Sequence, residues 1–159
     1  MIKTKEFQLT PDLLQNILLI RYFKKRWWLL AWVWVLAILM LFIPGWDNFK
    51  TFFIVFAAIY PMLLVYRFWR FSHSKENKIF FVRRVLKITN DLIEDSLEDG
   101  TVYPMKIDNF IRHEKIKDNY LLFIAKSIFL VLPMSAFETE EDIKWFENNF
   151  LQNIGIKKH

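Results

Sequence analysis

The sequence contains no cysteine, and only three glycines and five prolines in 159 residues. Without thiols there are no disulfides, thiolate metal sites or cysteine nucleophiles. Three widely separated glycines build no phosphate-cradling loop, and no nucleophile motif is present. The N-terminal MIKTKEFQLT leads into no short apolar stretch with a small-residue cleavage site, so a cleaved signal peptide is not expected. Charge, too, is missing from one long interval. Residues 27–43 read WWLLAWVWVLAILMLFI without an ionisable side chain, and residues 49–69 interrupt their apolar run only with Lys50 and Arg67.

Those two runs organise the chain. A helix of roughly 20 residues crosses a hydrocarbon core about 30 Å thick. Backbone amides cannot be left unsatisfied in lipid, so each run is expected to be helical, with residues 44–48 as the turn of a transmembrane hairpin over 27–69. Pro61, inside the second run, removes its own N–H and predicts a kink. Ala57 and Ala58 permit close helix approach, within the hairpin or in a dimer. Trp27, Trp28 and Trp69 are expected at one membrane interface and Trp46 at the other. Trp32 and Trp34 sit deeper, facing either lipid or a partner helix.

The net charge of +5 conceals an asymmetry. Arg21, Lys24, Lys25 and Arg26 precede the first run, and Arg67, Arg70, Lys75 and Lys78 lie at or beyond the end of the second, followed by Arg83 and Arg84. Residues 85–159 carry nine Lys/Arg against thirteen Asp/Glu. The basic charge is therefore a collar around the hairpin and not a nucleic-acid surface. By the positive-inside rule both termini are expected in the cytoplasm, in a multi-pass protein of the bacterial cytoplasmic (inner) membrane. The eight collar residues Arg21, Lys24, Lys25, Arg26, Arg67, Arg70, Lys75 and Lys78 are the expected contacts to anionic lipid headgroups.

Four segments follow. Residues 1–26 hold a short strand, with Ile2, Phe7 and Leu9 as its apolar points, and a helix begun by Thr10 as cap and Pro11 at its first position. The stripe Leu14, Ile17, Leu18, Ile20 and Phe23 suits a helix on the membrane surface, or equally one packed on the soluble domain. Residues 27–69 are the hairpin and 70–84 a basic connector. From 85 to 155 the rhythm changes to six β runs, 85–89, 92–98, 101–107, 110–117, 120–125 and 128–132, separated by turn residues. Asp99-Gly100 is a hairpin signal, and Pro104 consigns its strand to an edge or a bulge. Thr139-Glu140-Glu141-Asp142 resembles a capping box, and Ile143, Phe146, Phe150 and Ile154 form the stripe of a closing helix that Gly155 ends.

Candidate chemistry is sparse. Arg112, His113 and Glu114 are consecutive on a strand, so His113 points away from both neighbours. Glu94, Asp95, Glu98 and Asp99 form an acidic cluster on a hairpin, without calcium-loop spacing. These four are the expected partner-binding residues; no catalytic residue, metal or cofactor is expected, and the chain is read as non-enzymatic.

The stretch KIDNFIRHEKIKDNYLLFIA followed by LVLPMSAFETEEDIKWFENNF resembles the bacterial YcxB-like domain family, at Ile111, residues 120–123, Pro133, Phe137 and 140–146. Met134 and Lys106 stand where that family often carries a basic residue and an aromatic. The resemblance implies two membrane spans followed by a pleckstrin-homology-like (PH-like) domain. The expected fold is a membrane α-helical hairpin plus an α+β unit, a PH-like antiparallel β barrel or sandwich capped by a C-terminal helix. Residues 3–9 would add a seventh strand. The function expected is binding or regulation of a membrane-associated protein partner, which includes a second copy of the chain. An immunity-type protein neutralising a membrane-targeting toxin is the alternative, and a small channel or transporter subunit ranks below both.

Overall fold

A computed structural model describes residues 1–45, 47–126 and 128–155. Trp46, read as an interfacial marker, and Ser127, read as part of a turn, lie outside the described residues. The chain divides into two compact units, Thr10–Ile79 and Met1–Leu9 with Phe80 onward.

The first unit is a helical hairpin of α1 (Pro11–Phe42) and α2 (Asn48–Ser72). Thr10 caps α1 through a hydrogen bond from the Leu13 amide, with Pro11 at the first helical position. The expected surface helix and first span are one element, interrupted at Arg26, whose φ of −134° and ψ of 19° are non-helical. The interruption falls where the basic cluster meets the charge-free run. Pro61, by contrast, lies inside an uninterrupted α2. Ala37 and Ala57 are buried, and such small side chains let helix backbones approach closely. Ala58 is exposed.

Both helices are long and apolar enough to cross a membrane, with mean hydropathy 1.6 and 1.8 over an 18-residue stretch of each. Their most apolar stretches are only 6% and 17% buried. Trp27, Trp32 and Trp34 are 63%, 59% and 47% exposed, which puts Trp32 and Trp34 on the hairpin's outer surface. The turn is closed by Lys50, which is buried and whose Nζ donates to the carbonyls of Ile43 and Gly45 at the end of α1. Helix-terminal carbonyls lack intrahelical partners, and a cation is favoured there. Asp47 caps the start of α2.

The second unit is α+β. A four-stranded antiparallel sheet has the order β1 (Ile2–Lys3), β2 (Arg84–Ile88), β3 (Leu92–Leu97), β4 (Val102–Lys106); a three-stranded one has β5 (Arg112–Ile116), β6 (Asn119–Phe123), β7 (Phe129–Pro133). The extra N-terminal strand is thus present but short, with Phe7 adding one bridge to Arg84. The six-strand meander does not close into a barrel. It divides between β4 and β5, where Ile107–Asn109 forms a 3-10 turn. There the Ile107 amide donates to Asp91 at 2.8 Å, and Ile107 and Phe110 enter the core. The chain dives inward at the point where a barrel would need β4 to pair with β5. Pro104 does sit on an edge strand, β4.

One core joins both sheets to the C-terminal segment: Leu86, Ile88 and Ile93 from one, Tyr120, Leu122, Leu130 and Leu132 from the other, and Phe146, Phe150, Leu151 and Ile154. α3 (Glu140–Trp145) starts with a full capping box between Thr139 and Asp142. It then widens into a π turn over Phe146–Phe150 and tightens over Leu151–Asn153. The widening keeps Phe146 and Phe150 stacked at 5.5 Å while both are fully buried, Phe146 lying 5.3 Å from the Tyr120 ring. Gly155 adopts φ +80°, and a Cβ there would come within 3.2 Å of the Ile111 carbonyl.

Candidate functional site

The eight collar residues all belong to the hairpin unit or its polar extension. Lys24, Lys25, Arg26, Arg67, Arg70, Lys75 and Lys78 are exposed, and Arg21 is half-buried. The structure brings three of them together. Arg21, Lys25 and Arg26 line one cavity with Leu18, Tyr22 and Phe68. The Tyr22 hydroxyl lies 3.1 Å from that of Tyr60, and its ring meets Phe68 edge-on at 5.8 Å. Gln15 shares a second, larger cavity with Pro61, Met62, Val65, Tyr66 and Trp69.

Gln15 and Tyr22 of α1 both face α2 within residues 60–69. His73 beyond the end of α2 stacks on Trp69 at 4.9 Å.

The four acidic residues do not act as one cluster. β3 pairs with β2 in a register that sets Leu86 opposite Asp95. With the period of two along a strand, Ile93, Asp95 and Leu97 face inward with Arg84, Leu86 and Ile88, whereas Glu94 faces the other way. Asp95 is buried, and its Oδ2 accepts from Arg84 Nη1 at 2.9 Å. It leaves the set of expected surface contacts, because the alternation that turns the half-buried Glu94 to the other face buries it. Arg84, read only as part of the basic run, supplies the matching inward cation. The signal was present in both strands: an inward Arg between apolar alternates on one, an inward Asp on the next.

Burial pushes the Asp95 carboxyl above its ordinary range, opposed by the nearby Arg84 charge, and lowers the value for Arg84. Glu98 and Asp99 are exposed at the β3–β4 turn. A backbone hydrogen bond from Thr101 holds the Asp99 carboxyl below the usual range. Gly100 takes φ +84°, which makes this tight turn accessible. Beside it, Val102 and Tyr103 on β4 are 51% and 46% exposed.

A third polar group anchors the C-terminal segment. Glu147 accepts from the Tyr120 hydroxyl at 2.5 Å and from Lys115 Nζ at 2.9 Å. Those bonds hold the Glu147 carboxyl below its ordinary range, while burial, then Glu147, pushes the Tyr120 phenol up. His113 is exposed, on the opposite face of β5 from Arg112 and Glu114, which approach each other at 3.9 Å. Among the described residues no group of three or more His, Asp and Glu side chains converges at metal-binding spacing. No family model, no curated protein and no solved structure matches the chain.

Proposed function

We propose that this chain is a non-catalytic, multi-pass protein of the bacterial cytoplasmic membrane, with both termini in the cytoplasm, whose PH-like α+β unit binds a membrane-associated protein partner. Insertion is supported by the exposed apolar surface of α1 and α2. Soluble monomers rarely expose apolar patches beyond a few hundred Å². Orientation is supported by the basic residues at the open end of the hairpin. Two antiparallel sheets around a core closed by a C-terminal helix suit a PH-like unit and the YcxB-like resemblance.

The binding reading rests on one observation: the β3–β4 tip exposes Glu98 and Asp99 beside edge strand β4, which among the described residues pairs with β3 alone and carries exposed Val102 and Tyr103. Pro104 removes an amide from that edge, so recognition works through side chains more than by strand addition. The fitting partner offers Lys or Arg beside an apolar rim, with charge guiding the encounter.

A photocrosslinker at Tyr103, used in native membranes, tests this. One crosslinked species of defined mass is expected, and it should vanish on combining Glu94→Lys, Glu98→Lys and Asp99→Lys while membrane insertion stays intact. Crosslinks that survive the reversal, or that form only from Trp32 and Trp34, would move the interaction to the hairpin.

A further inference from the structure

The segment that leaves α2 is pinned to the end of that helix. The Asn77 side-chain amide donates to the Phe71 carbonyl at 2.7 Å, and the Ser74 backbone amide donates to the same carbonyl at 3.3 Å. Lys75–Phe81 then forms a 3-10 helix. With three residues per turn and a rise of about 2 Å each, Lys75 and Lys78 stand on one side of it, about 6 Å apart along the axis. Both are exposed, and among the described residues neither enters an ion pair. Glu76, the one acid in this segment, is rotated from them by a third of a turn. Trp69 and Phe71, at the end of α2 to which the segment is pinned, are 47% and 41% exposed.

Two like charges held at that spacing repel, so the lysine doublet favours opposed anions, and its aromatic flank favours an apolar neighbour beside them. The same chain carries a surface of that description. At the β3–β4 turn Glu98 and Asp99 are consecutive and exposed, and among the described residues neither enters an ion pair. The Glu98 amide donates to the Arg83 carbonyl, but the Arg83 side chain is turned to Glu6, at 4.0 Å. The Thr101 amide holds the Asp99 carboxyl low and therefore ionised. Val102 and Tyr103 supply the apolar flank, 51% and 46% exposed. A pair of acids beside apolar side chains thus matches a pair of bases beside aromatic ones. Every copy inserted in one membrane brings both surfaces, in equal number, to the same side.

We propose that the partner of the β3–β4 tip is a second copy of this chain, Glu98 and Asp99 of one copy engaging Lys75 and Lys78 of the other while Val102 and Tyr103 lie against its exposed Trp69 and Phe71. The proposal rests on the binding reading above and names its partner. Since each copy carries both surfaces, the contact can be made twice, in a two-fold dimer whose copies are inserted in the same direction. Exposed ion pairs are individually weak and screened by salt. The contact is therefore reversible and draws on the confinement of both copies to one membrane.

Two full-length copies with different epitope tags, co-expressed with the photocrosslinker at Tyr103, read the contact in native membranes. A crosslinked species of twice the chain mass that carries both tags is expected. Reversing one side alone in both copies, as Glu98→Lys/Asp99→Lys or as Lys75→Glu/Lys78→Glu, should lower its yield by about tenfold or more, since each exposed pair is worth up to about fivefold. A chain with all four reversals should regain it, which neither misfolding nor a loss of lipid contact would allow. Impermeant labelling at Asn48→Cys reports the insertion of each variant. Should a reversal fail to insert, Lys75→Gln/Lys78→Gln and Glu98→Gln/Asp99→Asn remove the attraction without reversing charge, and each should lower the yield by about threefold or more. An unchanged yield in the lysine variants would assign Lys75 and Lys78 to lipid headgroups and overturn the proposal. So would an inserted four-fold reversal that fails to recover the species. A single species of another mass, lost on reversal of the tip, would keep the binding reading and overturn the second copy as its partner. Absence of any crosslinked species would overturn both.

Discussion

Replacing Asp95 by Ala removes the carboxylate paired with the Arg84 guanidinium. Both side chains lie on the inward face of the four-stranded sheet, 6% and 8% exposed, with Nη1 and Oδ2 2.9 Å apart. Removing one partner of a buried pair costs about 3–5 kcal/mol, because the remaining charge stays desolvated. Burial is the larger influence on both groups, raising the carboxyl and lowering the guanidinium against their mutual attraction. The pair as a whole therefore adds little net stability. Arg84→Met combined with Asp95→Leu should return to within about 1.5 kcal/mol of the parent, or exceed it. Amide hydrogen exchange across β2 and β3 of the full chain in nanodiscs reads both effects. At about 1.36 kcal/mol per tenfold, Asp95→Ala should accelerate exchange there from roughly a hundredfold to a few thousandfold, and the double variant by about tenfold at most. The sign with pH is also fixed. Between the ordinary carboxylate value and the raised one, the folded chain holds a proton that the unfolded chain has released, so stability falls as pH rises through that window. Asp95→Asn should remove this contribution. Exchange changed less than about threefold by Asp95→Ala would mean the pair is open to water, against its burial. A double variant as damaging as Asp95→Ala would refute the claim that desolvation dominates.

Three further outcomes follow from the geometry. Lys50→Met leaves the Ile43 and Gly45 carbonyls without their ammonium donor and should destabilise the hairpin by about 1–3 kcal/mol, read by denaturant titration of helix content. Glu147→Ala orphans the Tyr120 hydroxyl and should cost about 1–3 kcal/mol; because the Glu147 carboxyl is held low, its contribution is present above the ordinary glutamate value and is lost as pH falls through the depressed one, measurable as faster exchange in β6. Thr139→Ala removes one half of the capping box and should cost about 1 kcal/mol, seen as fraying of α3 in exchange or NMR.

The sequence was most informative where one residue type has one physical use. Thr10-Pro11 and Thr139 announced helix starts, Pro104 an edge strand, and the charge-free run a long helix, since each follows from local covalent or solvation constraints. The break at Arg26 was visible as a change of composition without being visible as geometry. The division into two sheets was not legible, because it depends on where Ile107 and Phe110 find room in the core, a property of packing and not of alternation. Pairing of β1 with β2 joins segments more than 80 residues apart, beyond any local pattern. Lys50 looked like an interruption of an apolar run and is instead the cap of the preceding helix. Asp95 looked like one of four surface acids; strand parity alone would have turned it inward, had Arg84 been read on the facing strand. Leu18, Arg21, Tyr22, Lys25 and Arg26 share one helix face by spacing, so that grouping was legible, whereas the approach of Phe68 from α2 to the same cavity was not.

The central claim is a hairpin inserted with its acidic α+β unit on the basic, cytoplasmic side, and the chain's lack of cysteine makes one labelling experiment decisive. Asn48→Cys at the hairpin turn and Glu98→Cys on the β3–β4 turn are both exposed positions. In intact cells an impermeant maleimide should label Asn48→Cys and leave Glu98→Cys untouched until the membrane is permeabilised. Labelling of Glu98→Cys with protection of Asn48→Cys would invert the orientation, and equal labelling of both without permeabilisation would contradict insertion itself.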